Sequence, residues 1–139
     1  MASPDELRDR IEAARERFRA ALRSAAARWD AAPAPGEWSP RQVAEHVVRA
    51  EVWFASKVCT SCGYPGREAE PVSLATPEEA LRAFEEAAAW SAGRLKYVTP
   101  EDLARLDDRF GTVADVMAAA AAHLDEHAAQ LMRTANGVQ

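Results

Sequence analysis

The amino-acid sequence predicts an all-α protein that folds as a four-helix bundle, and three observations support this class. Helix-forming residues dominate the 139-residue chain, and long runs of β-branched residues are missing. Capping residues mark the starts of four long helices. Each of these helices has one apolar stripe at the spacing of a bundle helix. We expect a single domain over residues 1–139, because this length suits one compact core.

The first two helices each follow a serine-proline pair, which is a strong signal for a helix N-terminus. Ser3 precedes the first helix, which is predicted to run from residue 4 to about residue 29. Ser39 precedes the second helix, predicted for residues 40 to about 58, and Gln42 can complete a capping box with it.

The third and fourth helices follow capping threonines. Thr76 precedes the third helix, which is predicted for residues 77 to about 96. Thr112 opens the fourth helix, and the pair Asn136-Gly137 closes it. A short extra turn is predicted to start at Thr99, between these two helices.

The connections between the helices differ in length, and this difference predicts the topology. Residues 30–38 are few enough to join antiparallel neighbours. The 18 residues from 59 to 76 can reach up to about 59 Å, whereas the second helix is only about 27 Å long. This crossover can therefore traverse the bundle and let the third helix run parallel to the second. We predict an up-down-down-up order.

The three histidines of the chain all fall on predicted core faces. His123 and His127 are four residues apart, so they project from one face of the fourth helix, one turn apart. That face is apolar, because Val116 and Leu131 lie along it. His46 lies on the core stripe of the second helix, so all three histidines are expected to point into the bundle.

The helical rise indicates that these histidines can meet. His46 lies about 9 Å from the start of the second helix and about 18 Å from its end. His123 and His127 lie roughly 15 and 21 Å from the start of the fourth helix. If the two helices are antiparallel, as the predicted order requires, His46 comes level with the pair.

Three converging imidazoles predict a site for a divalent metal such as zinc, nickel or iron. Neutral imidazole is a common nitrogen ligand of these ions. Three ligands leave a coordination position open for water or substrate, which is the pattern of a catalytic site. The alternative is a set of core histidines that hydrogen-bond to one another or to the backbone.

Two segments resemble a known family. GEWSPRQVAEHVVRAEVWF resembles the second helix of the DinB/YfiT-like superfamily, and TVADVMAAAAAHLDEHAAQLM resembles its fourth helix. The resemblance implies a four-helix bundle with a long crossover and a metal held by His46, His123 and His127. It also implies chemistry with a low-molecular-weight thiol, because characterised relatives include transferases and isomerases that use bacillithiol or mycothiol. The family name refers to damage-inducible expression, which suggests a stress response.

The chain also differs from larger relatives and from a competing motif. It ends at Gln139, so we do not expect the second domain of mycothiol-dependent maleylpyruvate isomerases or their particular reaction. The segment HLDEH matches the motif of inverted zinc proteases, but only 12 residues follow His127, too few for their third ligand. Glu126 can orient a histidine or accept a proton from bound water, or it is an ordinary surface carboxylate.

Cys59 and Cys62 form a C-x-x-C pair where the second helix is predicted to end. They lie about 19 Å along the helix from His46, too far to complete the histidine site. Three interpretations remain open: a reversible disulfide with one unusually acidic thiol, half of a zinc site shared across a homodimer, or two partly buried thiols. Trp53 either packs in the core or lines a pocket near His46.

The net charge of −5 and the lack of a basic cluster argue against nucleic acid or a membrane as a partner. A polar N-terminus and the absence of a long apolar run predict a cytoplasmic protein. We therefore predict a metalloenzyme that transfers a thiol cofactor or activated water to a small electrophilic molecule, as a thiol S-transferase or hydrolase. The alternative is a non-catalytic metal- or redox-responsive stress protein that uses Cys59 and Cys62.

Overall fold

Four long helices form the bundle in the computed structural model, which describes residues 2–137. Their bounds are α1 Pro4–Ala25, α2 Pro40–Ser61, α3 Pro77–Leu95 and α4 Val113–Ala135. A short 3₁₀ turn at Ala26–Arg28 follows α1, and a second one at Asp102–Ala104 lies between α3 and α4. The predicted all-α class is confirmed. None of the helices in the described part of the chain combines the length and apolar character needed to cross a membrane.

The predicted capping residues begin the four helices. The Ser39 hydroxyl accepts a hydrogen bond from the Gln42 backbone N–H, and the Gln42 side chain accepts one from the Ser39 N–H. Thr112 and Asp115 form the same reciprocal pair at the start of α4. Such caps each stabilise a helix by about 0.5–2 kcal/mol. They fix where α2 and α4 begin and hence how far along the helix axis each later residue lies.

Contacts between helix ends establish the relative directions of α1, α3 and α4. Arg8, near the start of α1, donates to the carbonyl oxygen of Leu95 at the end of α3, so these helices are antiparallel. The C-terminal ends of α1 and α4 meet instead, because Gly137 lies beside the guanidinium of Arg28. Helices α1 and α4 are therefore parallel.

Helices α2 and α4 run antiparallel. His46 in the first half of α2 contacts His123 at the middle of α4, and Lys57 near the end of α2 pairs with Asp108, which precedes α4. Since α3 is antiparallel to α1, and α2 is antiparallel to α4, helices α2 and α3 run parallel. The up-down-down-up order with a long crossover between α2 and α3 is confirmed.

The interior combines a large apolar core with one buried polar network. The largest fully buried side chains include Phe18 and Phe84, whose ring centroids lie 4.9 Å apart. Among these apolar groups, Arg15 donates to Glu51 at 3.0 Å and to Ser91 at 2.9 Å. Helices α1, α2 and α3 are thus joined through three buried polar side chains, which the apolar stripes alone did not predict.

Helix α2 is longer than predicted. It ends at Ser61 instead of near residue 58, so Cys59 belongs to its last turn and Cys62 is its C-cap. The Cys62 N–H donates to the carbonyl oxygens of Val58 and Cys59, and Gly63 follows with a φ of 84°. A glycine with positive φ just after the cap is the usual helix terminator. The crossover is correspondingly shorter than the predicted 59–76 segment.

A small antiparallel ladder precedes α4 and was not predicted. Its strands are β1 Leu106–Asp107 and β2 Gly111–Thr112. The buried Asp107 carboxylate accepts hydrogen bonds from the backbone N–H groups of Arg109 at 2.9 Å and Phe110 at 2.8 Å. The Ser61 hydroxyl donates to the same carboxylate at 3.0 Å, which holds the turn against the end of α2.

Candidate metal centre

The structure brings His46, His123 and His127 together. The Nε2 atoms of His46 and His123 lie 2.9 Å apart, and those of His127 and His123 lie 3.2 Å apart. One ligand atom from each of the three residues lies within 4.8 Å of the others. The convergence expected from the helical rise therefore occurs between the antiparallel helices α2 and α4.

Gln130 orients one of the imidazoles. The Nδ1 atom of His127 lies 2.7 Å from the Gln130 Oε1 atom, an acceptor, so Nδ1 carries the proton in this arrangement. The Nε2 atom of His127 is then an unprotonated nitrogen that faces the other two histidines. Such an outer hydrogen bond is the usual partner of a metal-binding histidine. Sequence reasoning missed Gln130, although its position three residues after His127 places it on the same helix face.

The donor set fits a divalent metal. Three nitrogen ligands at about 2.0–2.1 Å from a tetrahedral ion lie roughly 3.3 Å from one another, close to the 2.9 and 3.2 Å separations here. A single N–H at Nε2 of His123 can point at only one of its two neighbours. A bound cation would satisfy all three nitrogens, so the residues present suit a metal better than a purely hydrogen-bonded cluster.

The surroundings of His46 and His123 keep these two imidazoles in the neutral form that a metal requires. Burial, followed by the neighbouring His127 and His46, lowers the pKa of His123 to about 4. Burial also lowers the pKa of His46, with further contributions from His127 and Arg49 and an opposing one from Glu126. At neutral pH His46 and His123 are therefore uncharged, and an approaching cation does not have to displace a proton from them.

Aromatic rings pack around the cluster and fix its geometry. The Trp38 ring is nearly parallel to the His127 ring, with ring centroids 6.3 Å apart. The centroids of the Trp38 and His46 rings lie 5.1 Å apart. The ring centroids of Phe54 and His123 lie 5.3 Å apart. The position of Trp38 beside the histidines was not predicted from the sequence.

A cavity of about 810 Å³ opens onto His46 and His123. One side of this cavity, here called the aromatic wall, consists of Trp53, Phe54 and Phe110. Trp53 therefore lines a pocket, one of the two alternatives that the sequence left open. The charged residues that line the cavity are Arg49, Glu68, Arg109 and Glu126.

A second cavity, of about 640 Å³, reaches His127. Its lining is more polar and includes Glu37, Trp38, Gln130 and Arg133, and it shares only Glu126 with the first cavity. The histidine cluster therefore borders two separate spaces that small molecules can enter.

Glu126 is the carboxylate that borders both cavities. Its negative charge favours the protonated form of His46, which indicates that it lies within electrostatic reach of the cluster. The neighbouring Asp125 turns away from the cluster and pairs with Arg17 at 2.7 Å. A role for Glu126 in orienting a ligand or accepting a proton stays a prediction.

Cys59 and Cys62 lie at the opposite end of α2 from His46 and line neither of the two cavities at the cluster. Both are free thiols, and Cys59 is buried. Burial raises the pKa of both thiols, and Asp102 adds to this effect at Cys62. Burial at a helix C-terminus disfavours the thiolate, which argues against the interpretation with one unusually acidic thiol. A role of the pair in a disulfide or in a shared zinc site stays a prediction.

The model of one known protein family matches most of the chain. The sequence profile of the DinB superfamily matches residues 10–131, a segment that includes all three clustered histidines. No curated protein and no solved structure matches the chain significantly.

Proposed function

The chain belongs to the DinB superfamily, and from this premise we propose that it is a metal-dependent enzyme acting on a small electrophilic molecule. His46, His123 and His127 would hold a zinc, nickel or iron ion. The ion would lower the pKa of a bound thiol or water and so provide a nucleophile at neutral pH. The observation that carries the proposal is the convergence of three Nε2 atoms on one point beside two cavities.

The surrounding residues support a preorganised site. Gln130 holds the Nδ1 proton of His127, and Trp38 and Phe54 pack against the imidazole rings. Ligands held in this way need little reorganisation when a metal or substrate binds. Such rigidity is more useful to a catalytic centre than to a histidine cluster that only fills space.

The two cavities favour a reaction with two small-molecule partners. The first has an aromatic wall and suits an electrophile with an apolar body, whereas the more polar second cavity suits a low-molecular-weight thiol. We propose thiol transfer as the principal reaction and addition of activated water as its variant. Glu126, which borders both cavities, would accept the proton released by the nucleophile.

The redox-responsive alternative has less support. A sensing cysteine is usually accessible and has a lowered pKa. Cys59 is buried, and the pKa of both thiols is raised. Neither property suits a rapid response to oxidants, so the structure favours the enzyme hypothesis.

The direct test is a turnover assay on protein loaded with zinc, nickel or ferrous iron. Each form is incubated with 1-chloro-2,4-dinitrobenzene and with cysteine, bacillithiol or mycothiol, and the thioether product is followed. We expect product formation to require both the metal and the thiol. Glu126→Gln should retain the metal and lose most of the turnover, because it removes the proton acceptor alone. Equal rates for the wild type and His123→Ala would contradict the proposal.

A further inference from the structure

Two arginines line the cavity that opens onto His46 and His123, and both are exposed. Neither Arg49 nor Arg109 forms an ion pair with a carboxylate of residues 2–137. What distinguishes these two arginines is their position, because both line the cavity that opens onto the candidate metal centre. Their positive charges are therefore available to an anion that enters this cavity.

Arg109 is held over the aromatic wall. Its guanidinium carbon lies 5.2 Å from the ring centroid of Trp53 and 5.7 Å from that of Phe110. The backbone N–H of Arg109 donates to the buried Asp107 carboxylate, which fixes the start of the side chain. Stacking on aromatic faces leaves the N–H groups at the edge of the guanidinium free to bind an anion in the cavity.

Arg49 is anchored at one nitrogen only. Its Nε atom donates to the carbonyl oxygen of Ala69 in the crossover at 2.6 Å. The two terminal nitrogens make no hydrogen bond to residues 2–137, so they remain free for a ligand. Arg49 follows His46 by three residues on α2, which places this second cation on the same side of the helix as the cluster.

Glu68 and Glu126 also line the cavity, and their negative charges limit how much negative charge a ligand can carry. They balance the two guanidiniums in number without pairing with either of them. Because the four charges cancel in number, a dianion would meet more repulsion from Glu68 and Glu126 than a monoanion, and a ligand with one negative charge is favoured. The aromatic wall adds an apolar surface for the rest of the molecule.

We propose that this cavity binds a small monocarboxylate with a flat apolar body, its carboxylate on Arg109 and Arg49 and its body against the aromatic wall. A planar carboxylate matches the fork of a guanidinium with two parallel hydrogen bonds. This assignment rests on the proposed function, and the electrophile would then be an unsaturated or aromatic monocarboxylate with its reactive carbon towards the histidines.

The test compares two probes that differ only in charge, 2-naphthoate and 2-naphthamide. Their dissociation constants are measured by calorimetry for the zinc-loaded wild type, Arg109→Gln and Arg49→Gln. The matched control is Arg10→Gln, which removes the same charge from an exposed position on α1 that lines neither cavity. Circular dichroism checks that each variant keeps its helices.

We expect the wild type and Arg10→Gln to prefer the naphthoate by roughly tenfold or more, the usual size of a charge-assisted pair. Arg109→Gln should lose most of this preference without weaker binding of the amide, and Arg109→Lys should restore part of it. Equal preference in the wild type and Arg109→Gln, or no binding of either probe to the wild type, would overturn the inference.

A repeat on chelator-treated protein separates the inference from the proposed function. A carboxylate preference that survives metal removal and falls in Arg109→Gln supports the arginine site, even if no metal-dependent turnover is ever detected. If the carboxylate preference disappears when the metal is removed and is unchanged in Arg109→Gln, the carboxylate binds to the metal. That result would overturn the arginine site and leave the proposed metal centre intact.

Discussion

The Nε2 atoms of His46 on α2 and His123 on α4 lie 2.9 Å apart, although 77 residues separate them in the chain. Two imidazole nitrogens at this distance need a proton or a metal ion between them. His127 adds a third nitrogen at 3.2 Å from His123. The properties expected of a metal centre follow from this cluster and from the residues around it.

Replacement of Gln130 by alanine is expected to weaken metal binding by roughly 10–100-fold. The variant removes the acceptor that holds the Nδ1 proton of His127 and so frees the ring to rotate. Affinity is measured by competition with a coloured chelator. Gln130→Glu keeps an acceptor at this position and should bind the metal as tightly as the wild type. Unchanged affinity in Gln130→Ala would show that Gln130 does not position the ligand.

The stability of the metal-free protein should fall as the pH drops from about 6.5 to about 4. The pKa of His123 is about 4 in the folded protein, below its ordinary value of 6.5. Within this range the unfolded chain binds a proton that the folded chain does not, so acid favours unfolding. Urea denaturation of the wild type and His123→Gln at several pH values measures the difference. If both proteins lose stability equally over this range, His123 does not titrate as described.

Replacement of Glu51 by alanine is expected to destabilise the bundle by about 3–5 kcal/mol. The change removes the buried carboxylate partner of Arg15 and leaves the guanidinium with the exposed Glu12 as its only carboxylate partner, at 3.4 Å, since only 3% of Arg15 and 6% of Glu51 is exposed. The double variant Arg15→Met/Glu51→Leu should recover much of the loss, because it removes both charges. Urea unfolding of the single and double variants gives the coupling energy, and additive losses would contradict a direct interaction.

Both cysteines should react slowly with 5,5′-dithiobis(2-nitrobenzoic acid) in the folded protein. Burial raises the pKa of Cys59 and Cys62, so little thiolate is present at neutral pH. The rate in urea is the internal reference, because unfolding exposes both thiols. Cys59→Ser and Cys62→Ser should retain full metal content. Reaction in the folded state as fast as in urea would restore the sensor hypothesis.

The sequence predicted the histidine cluster because two simple rules were sufficient. The helical repeat placed His123 and His127 on one face, and the long crossover implied that α2 and α4 are antiparallel. Capping residues fixed the starts of both helices, so the levels of His46 and His123 could be calculated. None of these steps required knowledge of how individual side chains pack.

Other features depended on helix rotation and loop geometry, which the sequence does not specify. Glu51 lies beside the predicted apolar stripe of α2, and a lone charged residue there is normally assigned to the surface. Its burial becomes clear only when Arg15 on α1 is seen to face it. Arg109 and Phe110 reach the cavity through a turn held by hydrogen bonds to Asp107, a local pattern that helical periodicity does not predict.

Metal content tests the central claim most directly. Protein purified without a histidine tag or a chelating column is analysed by mass spectrometry, in parallel with His46→Ala and His123→Ala. The wild type is expected to carry about one divalent ion per chain and each variant almost none, because the ligands come from two helices. No metal in the wild type after reconstitution, or full metal content in His123→Ala, would contradict a three-histidine metal centre.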